Sequence, residues 1–313
     1  MQVGLMIEGQ EDVSWRQWLD LAQACETHGI PTLFRSDHYM NLDGQHPERV
    51  ALDAWATICG LAAVTSRLRL GTMVSPATFR HPSMLAKLVA TADHISQGRV
   101  ELGLGAGWHE GEHAAYGFPF AATKTRMDVL DEQLQIVLGN WGREKFSHRG
   151  QHYRLDDLDA RPKPVQQPHP PLIMGGRAGP RSAALAARYA DEYNTAFPTL
   201  DDVAQRRGRI DAACRKAGRD PIPFSIMTGV LVADDEAELR DRARQRAEKM
   251  GTEADFVADP PAGWIVGTVE AAAEQLLALR DAGVSRVLCQ HFVHQDLEMV
   301  RLLGEQLAPR VAA

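Results

Sequence analysis

Leu70-Gly71-Thr72-Met73-Val74-Ser75-Pro76, closing with Arg80-His81-Pro82, decides how this chain folds. Leu68 and Leu70 lead an apolar strand into a polar Ser-Pro corner. Pro82 then opens a helix at its first position, where a missing N–H costs nothing. A strand that halts at such a corner and feeds a helix is one βα unit. The same rhythm runs outward in both directions. Upstream, residues 3–7 read as a strand, and Ser14 with Gln17 three residues on has the spacing of a capping box. Trp15, Trp18, Leu19, Ala22 and Cys25 recur at helical spacing until Gly29 ends the helix. Residues 32–35 form a second strand running into Ser36-Asp37-His38, followed by a helix over 53–66.

Downstream, strands are predicted at 99–104, 171–175, 191–195, 224–232 and 286–290, each followed by a helical pattern. A small hairpin over 146–155 turns at Arg149-Gly150, and the proline-rich 161–171 is an extended connector. Strand-helix alternation of this kind implies parallel strands with right-handed crossovers. Eight of them close a (β/α)8 TIM barrel, with the 313 residues as one domain. Its insertions follow strands four and seven, at about 107–122, 141–170 and 250–265. The alternative is an open doubly wound sheet. Its dinucleotide fingerprint is missing, because the nearest candidate, Gly103-Leu104-Gly105-Ala106-Gly107-Trp108, carries Trp at the third glycine position.

A hydrophobic content of 44% and a charged content of 24% are ordinary for a globular chain. The net charge of -7 argues against a nucleic-acid binder, which would show a basic face. Cys25, Cys59, Cys214 and Cys289 form no CxxC pair and read as free thiols. Residues 1–12 have neither a basic start nor a long apolar run, so no signal peptide is expected, and no membrane span. A cytoplasmic protein acting on a small molecule is the expectation.

In such barrels the loops after the strands build the site. Those positions are Glu8, Asp37-His38, Val74-Ser75, Ala106-Gly107-Trp108, Gly175-Gly176-Arg177, Asn194, Thr228 and Gln290-His291, a ring of small and polar residues. The Asp37-His38 pair offers a carboxylate that tunes an imidazole titrating near neutrality; equally, Asp37 can make a local turn while His38 packs. Gly175-Gly176-Arg177-Ala178-Gly179-Pro180-Arg181 places glycines, two arginines and a helix start together, an anion-binding pattern or else an ordinary glycine turn. His109-Glu110-Gly111-Glu112-His113 matches the zinc pattern HExxH. Gly107 and Gly111 weaken the helix that chemistry needs, so a polar loop without metal is expected there.

Ser36-Asp37-His38, the segment 72–82, the block 98–108, Arg161-Pro162-Lys163-Pro164, Gly175-Gly176-Arg177 and Gly267-Thr268 together resemble the bacterial luciferase-like flavin and deazaflavin oxidoreductases, most closely the branch using coenzyme F420. The resemblance spans nearly the entire chain. It implies a barrel that binds an isoalloxazine-like ring at the strand C-termini, with Asp37 and His38 at the redox edge as catalytic residues. It also implies a non-proline cis peptide at Met73-Val74 behind the ring, with Ser75 alongside. Ala106, Gly107 and Trp108 border the cofactor, Gly175, Gly176 and Arg177 meet its phosphate, and Asn194 touches the ring. Activity is then hydride transfer between F420 and a small carbonyl-type substrate such as an aldehyde, lactol or conjugated carbonyl. An FMN-dependent monooxygenase using reduced flavin and oxygen, and a non-catalytic flavin-binding protein, are the alternatives. Relatives of this kind are frequently homodimers.

Overall fold

Each of the eight predicted strands forms and pairs in parallel with its neighbours. The structure, a computed structural model, describes residues 1–42, 46 and 48–312. Strands one to eight are Gln2–Ile7, Thr32–Arg35, Arg69–Thr72, Val100–Gly105, Leu172–Gly175, Glu192–Ala196, Phe224–Ala233 and Arg286–Gln290. Register runs Leu5 to Leu33, Leu33 to Leu70, Leu70 to Val100 and Leu102 to Leu172. It continues from Ile173 to Glu192, Tyr193 to Phe224 and Ile226 to Val287, and Val287 returns to Val3. The sheet is therefore closed, and all eight strand C-termini share one rim.

The helices obey their local chemistry. Ser14 and Gln17 make the capping box, Thr199 and Asp202 make another, and Pro82 and Pro180 stand in first turns. The hairpin forms from Phe146–Arg149 and Arg154–Leu158.

Inside the barrel, side chains stack in layers. At the closed end, Arg286 donates to Glu101 at 3.0 Å and to Glu192 at 2.7 Å, while Arg69 donates to the other Glu101 oxygen at 2.6 Å. Above this ionic layer lie Met6, Phe34, Met73, Ile173 and Leu288. Val74 comes next, because strand three ends one residue before Met73 and the Met73–Val74 peptide is cis, as the resemblance implies. Its isopropyl group sits in a trough cut by missing side chains. A Cβ at Gly105 or Gly175 would come within 2.7 and 2.9 Å of the Val74 methyls, and one at Gly103 within 2.0 Å of the Thr72 carbonyl oxygen. Gly103→Ala should destabilise by about 1–3 kcal/mol or more, since backbone must yield. Gly208→Ala, on a helix with nothing within 4 Å, should be neutral or stabilising by up to about 1 kcal/mol. Urea unfolding of the two variants tests the contrast.

Two segments differ from expectation. The stretch 250–265 ends in a further strand, Ile265–Thr268, which among the described residues pairs only with the overhang of strand seven, Val230 to Ile265 through Ala233 to Thr268. A four-residue partner to a distant strand leaves no periodic signal of its own. Within 107–122, Glu110–Tyr116 is helical rather than a loop. His109 caps it through Nδ1 and Gly117 closes it at φ 71°. Gly107 lies before the helix at φ 77°, so it does not weaken that turn.

Candidate active site at the barrel rim

Strand two delivers Ser36, Asp37 and His38 to the rim, but the adjacent carboxylate is not the one His38 uses. Asp37 is buried and turned away. It accepts from Ser75 Oγ at 2.6 Å and from both terminal nitrogens of Arg80 at 2.5 and 3.1 Å. Arg80 also binds Asp53, the cap of the next helix. This corrects the expected Asp37-His38 dyad. Asp37, with Ser75, fastens strand two to the corner after strand three, and the Ser75 hydroxyl is engaged there rather than free for a ligand.

The carboxylate on His38 comes from Glu112. His38 Nδ1 donates to Glu112 Oε2 at 2.7 Å, and the other oxygen accepts the Tyr39 backbone N–H at 2.5 Å. Glu112 is fully buried. The same short helix fastens itself again through the Tyr116 hydroxyl, which donates to the Tyr39 carbonyl at 3.0 Å. With Nδ1 occupied, His38 keeps Nε2 for another partner. Burial would lower the His38 pKa, but the Glu112 hydrogen bond and charge, with Glu8 and Asp37 behind, raise it above 6.5. Burial would raise Glu112; His38 and the Tyr39 N–H hold it below 4.5 instead. A raised His contributes stability in full below 6.5 and loses it as pH climbs through its folded pKa. A lowered Glu contributes in full above 4.5 and loses it as pH falls through its folded pKa. The pair is therefore most stabilising between pH 4.5 and 6.5, and the Tm deficit of Glu112→Gln should be greatest there, as melting across pH will show.

The HExxH stretch thus carries a different chemistry. His109 gives Nδ1 to its helix cap and Nε2 to the Leu42 carbonyl, and His113 gives its nitrogens to the His109 carbonyl and the Thr78 hydroxyl. Among the described residues no three possible ligands gather around a metal position. Glu112 fills an unspecified position of that motif, whose own carboxylate is Glu110, so the pattern did not point to it. Only contact between the loops after strands two and four assigned its partner.

Around the dyad, Trp108 stands edge-on to His38 with ring centroids 6.0 Å apart and is 64% exposed. Ala106 and Gly107 lie at the end of strand four, and Val74 with Met73 rises from strand three. Asn194 is buried on strand six and donates to Ser225 at 2.8 Å. At strand five, Gly175 faces Val74, so its missing side chain serves the trough as much as any anion. Gly176 and Arg177 are exposed, and Arg177 makes no hydrogen bond or ion pair among the described residues. Arg181 does not join it, being turned to Asp128 and the Lys124 carbonyl. The helix Pro180–Tyr189 that follows has no side-chain cap, leaving its first N–H groups open beside Arg177.

The family model described as luciferase-like monooxygenase matches residues 1–286. This chain belongs to that family. Among luciferase-like relatives, the chain is similar to the F420-dependent hydroxymycolic acid dehydrogenase of Mycobacterium tuberculosis, 30% identical over 88% of this chain and 78% of that one. It is also similar to the FMNH2-dependent dimethylsulfone monooxygenase of Pseudomonas putida, 27% identical over 80% and 76%. A crystal structure of a monooxygenase from Streptomyces bottropensis superposes with a TM-score of 0.83 at 24% identity, covering 99% of both chains, and establishes the shared fold. Luciferase-like proteins are oxidoreductases or monooxygenases, and those relatives divide between F420 and FMN. No helix among the described residues is long and apolar enough to cross a membrane.

Proposed function

We propose that this protein is an F420-dependent oxidoreductase that transfers a hydride between the deazaflavin and a small carbonyl-type substrate, with His38 as the residue that handles the proton. The observation that carries the reading is the His38–Glu112 pair. A mostly buried imidazole at the barrel rim has one nitrogen fixed on a carboxylate and the other free.

The surrounding residues suit a planar ring with a phosphate tail. The Val74 ridge, seated in the trough of Gly103, Gly105 and Gly175, offers an apolar surface for one face of the ring. The uncapped start of the Pro180–Tyr189 helix offers N–H groups and Arg177 a free guanidinium to a phosphate, while Gly176, whose own N–H is held by the Asn194 carbonyl at 3.0 Å, leaves room for its approach. Met73, Ala106, Gly107, Trp108 and Asn194 complete the border, and Asp37 with Ser75 holds the strand-two corner in register. When bound, F420 supplies the hydride-carrying carbon. The chain's own work is to position a substrate near His38, exclude water beneath Trp108, and donate or accept a proton at His38 Nε2. The raised His38 pKa keeps that proton available near neutrality.

Visible absorption during titration with F420 and with FMN, each in both redox states, tests the assignment. F420 binding, with bleaching when candidate alcohols are added or recovery with carbonyls, is the expected result. Binding of FMN alone, with oxygen consumption, would replace it by the monooxygenase reading. Cofactor binding without turnover across a carbonyl and alcohol panel would leave a flavin-binding protein.

A further inference from the structure

Opposite the Arg177 corner, three cations and a histidine converge with too few acceptors. Arg246, on the helix Glu236–Met250, is only 8% exposed, and its Nε is buried without an acceptor. Among the described residues the guanidinium donates no hydrogen bond. It lies instead over Phe292, 3.9 Å from the ring centroid, and 5.8 Å from that of Trp264. One turn on, Lys249 donates to His294 Nδ1 at 3.1 Å. That bond fixes the His294 proton on Nε2, which is also buried and without an acceptor. Arg49 packs beside them, donating to the Lys249 carbonyl at 2.8 Å. Glu11, the carboxylate nearest the group, is already taken by Arg49 and by Asn41. Burial, opposed by Glu11 but reinforced by Arg246 and Arg49, lowers the Lys249 pKa to about 8.

An uncompensated cation out of water is costly unless an anion arrives to meet it. Two N–H donors without acceptors lie beside an ammonium group, a set whose chemistry suits an oxygen anion.

We propose that Arg246, Lys249 and His294, with Arg49 behind them, bind a carboxylate or phosphate group carried by the substrate. This rests on the oxidoreductase reading and names the class of molecule it acts on: a carbonyl or alcohol with an anionic end. Topology separates this group from the cofactor's phosphate. Arg246 and Lys249 follow strand seven and His294 strand eight, with Glu11 and Arg49 after strands one and two, whereas Arg177 follows strand five. His38 and Arg49 belong to the same strand-two connection. The cluster thus borders the mouth from the strand-seven to strand-two side, which His38 shares, rather than from the strand-five corner.

Calorimetric titration of the cofactor-free full-length protein with inorganic phosphate, and separately with acetate, tests this. Arg246→Gln and Lys249→Gln should each weaken one binding event by on the order of tenfold, the loss of a hydrogen bond to a charged group. Arg177→Gln should leave that event intact. Lys249 is partly exposed at the helix end, so Lys249→Gln keeps the test informative if Arg246→Gln fails to fold. Unchanged phosphate and acetate binding in both variants would overturn the proposal. So would weakened F420 or FMN binding in Arg246→Gln, which would place the cofactor's own anionic tail in the cluster. Failure of F420 to bind while the Arg246-dependent phosphate event persists would sink the cofactor assignment and leave the anion subsite standing.

Discussion

Replacing His38 by alanine is expected to lower kcat by about 10²–10⁴-fold while leaving cofactor affinity nearly unchanged. The imidazole touches the rim through Nε2 alone, because Nδ1 is bound to Glu112. Its loss removes a proton donor or acceptor without disturbing the Val74 ridge or the Arg177 corner. Glu112→Gln separates chemistry from scaffold. The amide oxygen still accepts from Nδ1, but the charge that raises the His38 pKa is gone. The limb of the pH–rate profile that reports His38 should therefore move to lower pH in Glu112→Gln, with cofactor Kd preserved. Asp37→Asn should act differently, weakening the Arg80 contact and loosening the corner. Wild-type turnover in His38→Ala would remove this residue from the reaction.

Arg286→Met is expected to destabilise the barrel by about 3–5 kcal/mol, the usual cost of leaving buried charges with their partner removed. Arg286 bridges Glu101 and Glu192 across the closed end. The two carboxylates respond oppositely. Burial would raise Glu101, but Arg286 and Arg69 together hold it below 4.5. Glu192 is raised, by burial above all, with Arg286 its cationic partner and Glu101 repelling it. Without Arg286, Glu192 loses its cationic partner and Glu101 keeps only Arg69 against burial, so each is tolerated better protonated than in the intact layer. A raised carboxyl contributes most below its unfolded pKa and loses that contribution as pH rises through the folded one. The deficit of Arg286→Met should therefore shrink as pH falls from 7 toward 4.5, and adding Glu192→Gln should restore part of it at neutral pH. Chemical denaturation across that range checks both. A deficit below about 1 kcal/mol at pH 7 would show that the ionic layer contributes little.

Much of the site was legible residue by residue, and the pairings were not. Asp37-His38 was conspicuous as a dipeptide, yet two residues adjacent on an extended segment point apart, and His38 found its carboxylate 74 positions away. HExxH spelled a metal ligand set. Its Glu112 was instead the missing partner, and both histidines turned inward to cap and brace their own segment. The glycines after strand five suggested a phosphate cradle, and those of strand four only a failed dinucleotide fingerprint. Gly103, Gly105 and Gly175 make room for the Thr72–Val74 turn, a requirement set by a neighbouring strand. Arg246, Lys249 and His294 gave no signal at all, since a charged helix usually presents its charges to water.

Sequence alone determined that this chain is an eightfold βα barrel with its polar residues on one rim. Period, caps and corner prolines act within a few residues of each other, so local physics is enough to write them. Only the tertiary structure decided which side chains meet there. Closing the sheet brings together loops tens to hundreds of residues apart, and burial then selects the partners: Glu112 for His38, Arg80 for Asp37, and Arg286 for two carboxylates at once.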